Sequence, residues 1–260
     1  MTTLPAERKA LLFSAGGVRL ALRLSQVREI VAAPRPGGEI QVRGGSVPVL
    51  PLWVTLGLPA GQGGYALVIE ASPPLALGVE ALHGILDLAS AEVFRLPART
   101  TLPHPPPFQG AVVSSGEIAL ELDVSAIGWA PLEPAPGPRE PPPDQSGEGE
   151  GELLFARGGA TYAVPLPLLV GVLESARISQ VPLAPPAHRG LLYHGRALHA
   201  VFDVAALYGG RPAAEGAGTV LLLDAGGTAV GLLAERVLRV GEDAGRGAVR
   251  RPAWDALFAS

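Results

Sequence analysis

The chain contains no cysteine among its 260 residues. This absence excludes disulfide bonds, thiolate metal sites and cysteine nucleophiles together, and it fits a reducing compartment. Lysine is also nearly absent, because Lys9 is the only one and the other basic residues are arginines. A codon bias of the genome explains that preference.

The chain also lacks a strong excess of charge of either sign. Its 24 acidic and 20 basic residues give a formal net charge of −4. This balance does not create the strong basic field that binding to a nucleic-acid backbone requires. Nucleic acid is therefore not expected as a partner.

Long hydrophobic runs are missing as well. The longest lies near residues 163–173, where Pro165 and Pro167 interrupt it, so it falls short of the roughly 20 apolar residues of a membrane span. The first 13 residues place three charged side chains ahead of the short apolar segment Leu-Leu-Phe, so the long hydrophobic core of a secretory signal is missing. We expect a cytoplasmic protein without direct membrane insertion.

The chain has enough apolar material for two folded units. Hydrophobic residues make up 48% of its length, and that length favours roughly two domains. Residues 131–151 are dense in Pro, Gly and acidic residues, which is the composition of a linker. We predict a first domain at residues 8–130, a linker at 131–151 and a second domain at 152–260.

The two units resemble each other in sequence. Each opens with Leu-Leu-Phe, at residues 11–13 and 153–155, followed closely by a Gly-Gly pair. Alternating apolar segments come next, at residues 19–27 and 161–169. Both units later contain two short apolar runs divided by turn residues, the pattern of a β-hairpin. A repeat of this kind indicates a duplication.

Strands dominate the predicted elements, so the fold class is mostly β. Apolar segments rich in Val, Leu and Ala are interrupted by Gly and Pro about every ten residues, which is typical of small β-barrels or sandwiches. Helices are few and short. We predict one at residues 25–33, where Ser25 can cap the helix and Val27, Ile30 and Val31 share a face.

Four stretches of the first unit carry further motifs, at residues 21–34, 37–59, 75–86 and 108–128. They resemble the CheW-like domain family of chemotaxis coupling proteins and occur in the family's order. Residues 21–34 are similar to its second strand and helical V-x-E-I turn. Residues 37–59 resemble its central signature of an Arg-Gly turn, a V-P-V strand and a short helix. Residues 75–86 resemble a strand with an acidic end at Glu80, and residues 108–128 resemble the closing hairpin.

The resemblance implies two tandem CheW-like domains, each a pair of small β-barrels with a few short helices. It also implies a non-enzymatic adaptor that couples the cytoplasmic tips of methyl-accepting chemoreceptors to the regulatory domain of a CheA-type histidine kinase. Other CheW-like domains are further candidate partners. An apolar barrel end would bind the kinase, and a groove near Glu29, Ile30, Arg43 and Val47 would bind the receptor. The residues expected to bind partners are Val27, Glu29, Ile30, Arg43, Gly44, Val47, Pro48, Trp53, Gly190, Arg196 and Asp203.

Glu29 and Arg43 form the charged pair that the resemblance places on neighbouring turns. An exposed ion pair would contribute only about 0 to 1 kcal/mol to stability, so its value would lie in orientation and partner specificity. Two unrelated solvated charges are the alternative. The second unit has Gly171 and Gly195 at these places, which favours a coupling surface on the first unit and a different role for the second.

The second unit departs from the family pattern in two further ways. Its Arg-Gly turn is reversed to Gly195-Arg196, and its tail after the last clear strand is short. Either residues 254–258 (Trp-Asp-Ala-Leu-Phe) replace the missing strand, or an edge stays open to pair with another chain. Two units on one linker would also permit avidity.

The three tryptophans lie where aromatic anchors often bury against a partner or a chain end. Trp53 follows the V-P-V strand and is expected either to contact a partner or to cap its own barrel. Trp129 and Trp254 lie at domain ends. For Trp129, capping is the preferred interpretation.

Two features raise the alternative of an enzyme. Residues 224–228 (Asp-Ala-Gly-Gly-Thr) resemble a glycine-rich phosphate loop, but they come late in the chain and are explained as a hairpin turn. His188, His194 and His199 cannot share one face of an extended chain, so a metal site is not expected. We predict no catalytic residue, cofactor or metal. A small-molecule or metal-dependent enzyme and a structural dimerisation scaffold are the alternative functions.

Overall fold

The computed structural model describes residues 8–33, 38–43, 45–71, 73–97, 99–128, 130–137, 144, 151–210, 218–238 and 249–254. The chain divides into two compact units. The first unit contains residues 1–96, 102–135 and 181–183, and the second contains residues 97–101, 136–180 and 184–260.

The first unit is built from short strands. In chain order they are β1 (Lys9–Ala15), β2 (Val18–Arg23), β3 (Val27–Ala32), β4 (Glu39–Val42), β5 (Gly45–Pro51), β6 (Tyr65–Ile69), β7 (Leu75–Val79), β8 (Ala81–Asp87), β9 (Glu92–Phe94), β10 (Phe108–Ser114) and β11 (Glu117–Leu122). The one α-helix of its described residues is α1 (Leu52–Thr55), and 3-10 turns occupy Leu24–Gln26 and Val124–Ala126.

These strands form two sheets, with the orders β8-β1-β2-β11-β10-β9 and β3-β6-β7-β5-β4. Gly16 and Gly17 join β1 to β2 with φ angles of 56° and 79°, the positive values that a two-residue hairpin turn requires. β2 pairs parallel with β11, and β5 with β7. The end strands β8 and β9 are separated only by residues 88–91, so the two ends of the first sheet lie close together, as in a barrel.

Both sheets of the first unit contain strands that are buried on both faces, because consecutive residues of β6, β7, β10 and β11 are buried, whereas β3 alternates between half-buried and exposed residues. Two of the buried clusters consist of Ala10, Ala21, Val112 and Ala119, and of Ala33, Val47, Val49, Ala66, Val68 and Ala76. Small side chains predominate in both clusters, which suits the narrow interior of a small barrel. Larger side chains, among them Phe13, Leu20 and Leu22, are also fully buried in this unit.

The helix predicted at residues 25–33 is wrong. The chain makes a single 3-10 turn at Leu24–Gln26 and continues as β3, whose residues alternate between half-buried and exposed. Val27, Ile30 and Val31 are β-branched and fit a pleated surface better than a helix. Their spacing agreed with one helical face by coincidence, since the buried positions repeat every two residues.

The second unit has the same kind of elements. Its strands are β12 (Glu152–Arg157), β13 (Ala160–Pro165), β14 (Leu169–Leu173), β15 (Ile178–Ser179), β16 (His188–His194), β17 (Ala197–Phe202), β18 (Thr219–Asp224), β19 (Ala229–Ala234), β20 (Arg236–Val237) and β21 (Val249–Arg250). The described part of this unit also contains the helix α2 (Val204–Leu207) and a 3-10 turn at Leu166–Leu168.

The sheets of the second unit have the orders β20-β12-β13-β21 and β14-β18-β19-β17-β16-β15. Gly158 and Gly159 close the first hairpin with positive φ, as the glycine pair does in the first unit. β17 pairs parallel with β19 just as β5 pairs with β7. The predicted mostly β fold of two tandem domains is therefore confirmed.

A short strand ahead of Trp254 occupies part of the side that the short tail of the second unit was expected to leave uncovered. β21 pairs parallel with β13, at the place that β11 takes beside β2 in the first unit. Trp254 is buried in the core, and its Nε1 donates a hydrogen bond to the carbonyl of Ala163 at 3.0 Å. A two-residue strand and one indole thus cover part of this side, while residues 255–258 lie outside the described residues.

The described part of the predicted linker is held by hydrogen bonds. The amide of Leu132 donates to the carbonyl of Thr55 at 3.0 Å, and that of Ala135 donates to Leu183 at 2.7 Å. Asp144 accepts a 2.7 Å hydrogen bond from the Tyr208 hydroxyl. At these points the linker is hydrogen-bonded to the folded units, and Ala135 is buried, which its composition did not predict.

Candidate partner-binding surface

Strand β3 presents the first group of residues expected to bind partners. It lies at one end of the five-stranded sheet, so its outer edge has no strand partner among the described residues. Val27 and Glu29 are half-buried, whereas Ile30 is 40% exposed. An exposed β-branched side chain on an edge strand is available for contact with another protein.

The turn between β4 and β5 lies beside this edge. Nη2 of Arg28 donates a hydrogen bond to the carbonyl of Arg43 at 3.1 Å. β3 and β4 are the two end strands of the five-stranded sheet, so this bond shows that its ends approach each other. Pro48 is exposed on β5, Val47 is buried, and Gly44 lies outside the described residues.

The expected ion pair between Glu29 and Arg43 is not formed, since no salt bridge joins these two side chains in the part of the chain that the structure describes. The basic residue that reaches the turn is Arg28. Neighbouring residues of a strand point to opposite faces. Arg28 therefore points outward towards the turn, while Glu29 points to the inner face.

Trp53 is a core residue and not an exposed anchor. It lies in α1 and is almost completely buried, and its carbonyl accepts a 2.8 Å hydrogen bond from the amide of Leu58. Of the two interpretations of this tryptophan, capping of its own unit agrees with the structure. Trp129 lies outside the described residues.

Tyr65 was missed by the sequence reasoning. It is 37% exposed and pairs with Ala32 of β3. Ile30 lies two residues before Ala32 in the same strand, so Tyr65 and Ile30 share a face of the sheet. Aromatic residues are enriched in protein interfaces. The one sequence signal was an aromatic side chain at the start of a strand directly after two glycines.

Two residues of the second unit that were expected to bind partners have internal roles. Gly190 is buried with φ of 135°, and a Cβ atom there would lie 2.2 Å from the carbonyl oxygen of Ser179. The carboxylate of Asp203 is fully buried and receives hydrogen bonds from Nε and Nη2 of Arg157 at 3.0 and 2.6 Å. Neither residue presents a side chain to a partner.

Arg196 is exposed at the surface. It follows Gly195 in the turn between β16 and β17, and the φ angles of the two residues are 61° and 59°. Positive φ at both central positions defines a type I′ turn. The reversed Gly-Arg order therefore places an exposed guanidinium at the tip of a hairpin.

The residues that raised the enzyme alternative have structural explanations. Oδ1 of Asp224 accepts a 2.8 Å hydrogen bond from the amide of Gly227, which closes the turn between β18 and β19. Burial lowers the pKa of His188 to about 4, and its ring packs edge-on against Phe202 with centroids 5.3 Å apart. Both ring nitrogens of His199 lie 3.1 Å from backbone carbonyl oxygens. The described residues contain no cluster of three or more potential metal ligands.

A separate finding concerns membranes. None of the helices in the described residues combines the length and the hydropathy that crossing a bilayer requires.

The fold and the exposed edges define a class: a tandem protein of two β-rich domains whose exposed apolar residues lie mainly on the edge strands of its sheets. The chain matches the CheW-like domain model over residues 9–129 and 152–242, and it belongs to that family. The family consists of non-enzymatic scaffold proteins of chemotaxis. No curated protein sequence matches the chain.

A solved structure is also similar to this chain. It is the scaffolding protein TtCheW from Thermoanaerobacter tengcongensis, with 18% sequence identity and a TM-score of 0.39. The match covers 48% of this chain and 97% of that chain.

Proposed function

We propose that this protein is a cytoplasmic, non-enzymatic adaptor that couples chemoreceptors to a CheA-type histidine kinase. The observation that carries the proposal is the exposed edge of β3 beside the Arg43 turn, in the first domain of a chain that belongs to the CheW-like family. Binding alone performs this function, so the adaptor needs no cofactor and no reacting group.

The receptor surface of the proposal consists of Val27, Glu29, Ile30, Arg43 and Pro48, with Tyr65 added. Ile30 and Tyr65 supply apolar area that a helical hairpin can cover, and the rim carries charge at Arg28 and Arg43. An apolar centre with a charged rim is the usual anatomy of a protein interface. Gly44, which lies outside the described residues, is part of the proposal through the family resemblance alone.

The kinase surface of the proposal lies on the other sheet of the first unit. Ile85 on β8 and Val93 on β9 are 59% and 47% exposed, and these two strands are the ends of the six-stranded sheet. Exposed apolar groups on neighbouring strand ends offer a patch for a second β-rich domain. The two surfaces would let one domain hold receptor and kinase at the same time.

The test is co-purification of the intact protein with receptor and CheA fragments from the same cell. Ile30→Asp should weaken receptor capture at least about tenfold and leave kinase capture unchanged, because it places a charge in one apolar centre only. Ile85→Asp should do the reverse. Val54→Asp changes an equally exposed apolar residue on α1 and serves as the control.

The outcome decides between separate surfaces and a different function. Loss of both partners with either variant, in a protein that still folds, would contradict the division into two surfaces. Absence of any complex with the wild-type protein would contradict the adaptor proposal itself. Arg43→Ala and Arg196→Ala compare the corresponding turns of the two units, and only the first should weaken receptor capture.

A further inference from the structure

The exposed apolar residues of the second unit are concentrated on one short segment. Among the described residues of this unit, the large hydrophobic side chains with high exposure are Leu166 at 46%, Val170 at 61% and Val172 at 43%. Val170 and Val172 point outward from β14, and Leu166 lies in the 3-10 turn before it. Solvent exposure of a continuous apolar stripe is costly unless a partner covers it.

β14 is also an end strand. Within the described residues it pairs only with β18. The strand at the other end of its sheet, β15, has only two residues, so it cannot cover the five residues of β14. An uncovered apolar edge invites the addition of another strand, because its backbone groups lack partners on that side.

The equivalent strand of the first unit protects its edge in two ways. β3 and β14 share a register shift, at Val27/Glu29 and at Leu169/Gly171. This shift equates Glu29 with Gly171 and Arg28 with Val170. In β3 the Arg28 side chain crosses to the Arg43 carbonyl, and Glu29 adds a charge. In β14 Val170 has no donor and Gly171 has no side chain, and residues 165–173 contain no charged residue.

The sequence of β14 is self-complementary. If two copies pair antiparallel about Gly171, Val170 of each copy lies opposite Val172 of the other, on the same face. The same arrangement of two β3 strands would place Glu29 opposite Glu29, and like charges directly opposite each other destabilise a strand pair. The replacement of that glutamate by Gly171 removes the repulsion.

We propose that β14 is the dimerisation edge of this protein, where it pairs antiparallel with β14 of a second copy. A partner at this edge must supply a strand that hydrogen-bonds to the backbone of β14. It must also supply uncharged side chains that cover Val170 and Val172. The β14 strand of another copy meets both requirements. A two-fold axis through such an edge gives a closed dimer, in which each copy presents the same surface.

Mass measurement of the full chain by sedimentation across a range of concentrations tests the proposal. The wild-type protein should rise from the mass of one chain to that of two. Gly171→Glu restores the charge of β3 and should raise the concentration needed for dimerisation by about tenfold or more. A Cβ atom at residue 171 meets open space, and its φ is not positive, so the variant should fold.

Matched variants separate charge from backbone effects. Gly171→Ala adds a Cβ without charge and should dimerise like the wild type, whereas Val170→Lys should impair dimerisation. Ile30→Lys changes an exposed apolar residue on the corresponding strand of the first unit and should leave the mass unchanged. Amide exchange of residues 170–172 should also slow as the protein concentration rises.

Two results would overturn the proposal. One is a wild-type protein with the mass of a single chain at every concentration, which would also be the outcome if β14 bound an unrelated partner. The other is dimerisation of Gly171→Glu at the wild-type concentration. The proposal does not depend on the adaptor function, because no receptor or kinase takes part in the measurement.

Discussion

Asp203 links two parts of the second unit through one buried carboxylate. It accepts two hydrogen bonds from the Arg157 guanidinium and one from the amide of Ala205 at the start of α2. The first unit has Ala15 and Pro51 at the equivalent places, before the Gly-Gly turn and before α1. One unit thus uses an ion pair where the other uses two uncharged residues.

This comparison leads to a stability prediction. Asp203→Asn keeps the shape and the cap of α2 but leaves the buried Arg157 with only the more distant carboxylate of Glu235, 3.9 Å from its Nη1, so the second unit should lose about 3 kcal/mol. The double variant Arg157→Met with Asp203→Asn removes both charges and should recover more than half of that loss. Urea unfolding measures both values, and amide exchange assigns them to the second unit. Equal losses in the single and double variants would contradict the prediction.

His188 makes the stability of the second unit depend on pH. Burial lowers its pKa from 6.5 to about 4, and its two ring nitrogens have no hydrogen-bond partner among the described residues. The folded state therefore holds the neutral ring while the unfolded chain binds a proton. This contribution is complete above pH 6.5 and is lost as the pH falls towards about 4, at a cost of about 3 kcal/mol.

The prediction is checked by urea unfolding of the wild-type protein and of His188→Phe at a series of pH values. The phenylalanine variant should lose less stability between pH 6.5 and about 4, because the difference between the two curves isolates this one ring from the titrating carboxylates. Phe108 already occupies the matching position at the start of β10, paired with Leu122 as His188 is with Phe202. Parallel curves would show that His188 carries no such dependence.

The strands and hairpins could be predicted because their signals are local. Glycine pairs at residues 16–17 and 158–159 and the Asp-Ala-Gly-Gly-Thr turn mark hairpins that need positive φ, and the structure has a turn at each. The predicted helix failed for a physical reason as well. Over a segment as short as residues 25–33, a helical and a strand period select several of the same positions.

The sequence also contains a second repeat, which relates one hairpin of the first unit to one hairpin of the second. Residues 108–128 and 188–208 match without a gap in their pattern of turns and apolar residues, and both fold as a bulged hairpin that runs into a short helical turn. Asp123 and Asp203 cap those turns in the same way, through the amides of Ser125 and Ala205. This second repeat predicts that Asp203, like Asp123, caps a helical turn and does not bind a partner.

The candidate site was less predictable than the fold, because accessibility depends on contacts between distant segments. Ile30, Pro48 and Arg196 are exposed as a partner surface requires, whereas Val47 and Trp53 are buried. Val47 is buried in a cluster with residues of β6 and β7. The predicted ion pair between Glu29 and Arg43 is not formed because successive residues of a strand point to opposite faces. The prediction had placed Glu29 on a helical turn, where side chains do not alternate in this way. Sequence patterns identify the elements, but side-chain direction decides the site.

At the scale of the whole molecule, the tandem arrangement predicts avidity if both units bind partners. Tethering raises the effective concentration for a second contact, and it can strengthen binding by about 100-fold or more without any new contact. On a sensor surface that is densely coated with receptor and kinase fragments, Ile30→Asp should therefore speed dissociation of the whole chain by about 100-fold. On a sparse surface, where one chain cannot reach two partners, the wild-type protein should itself dissociate quickly. Binding kinetics at the two densities separate these cases. Equal wild-type dissociation rates on both surfaces would mean that the chain holds its partners through a single contact, without avidity.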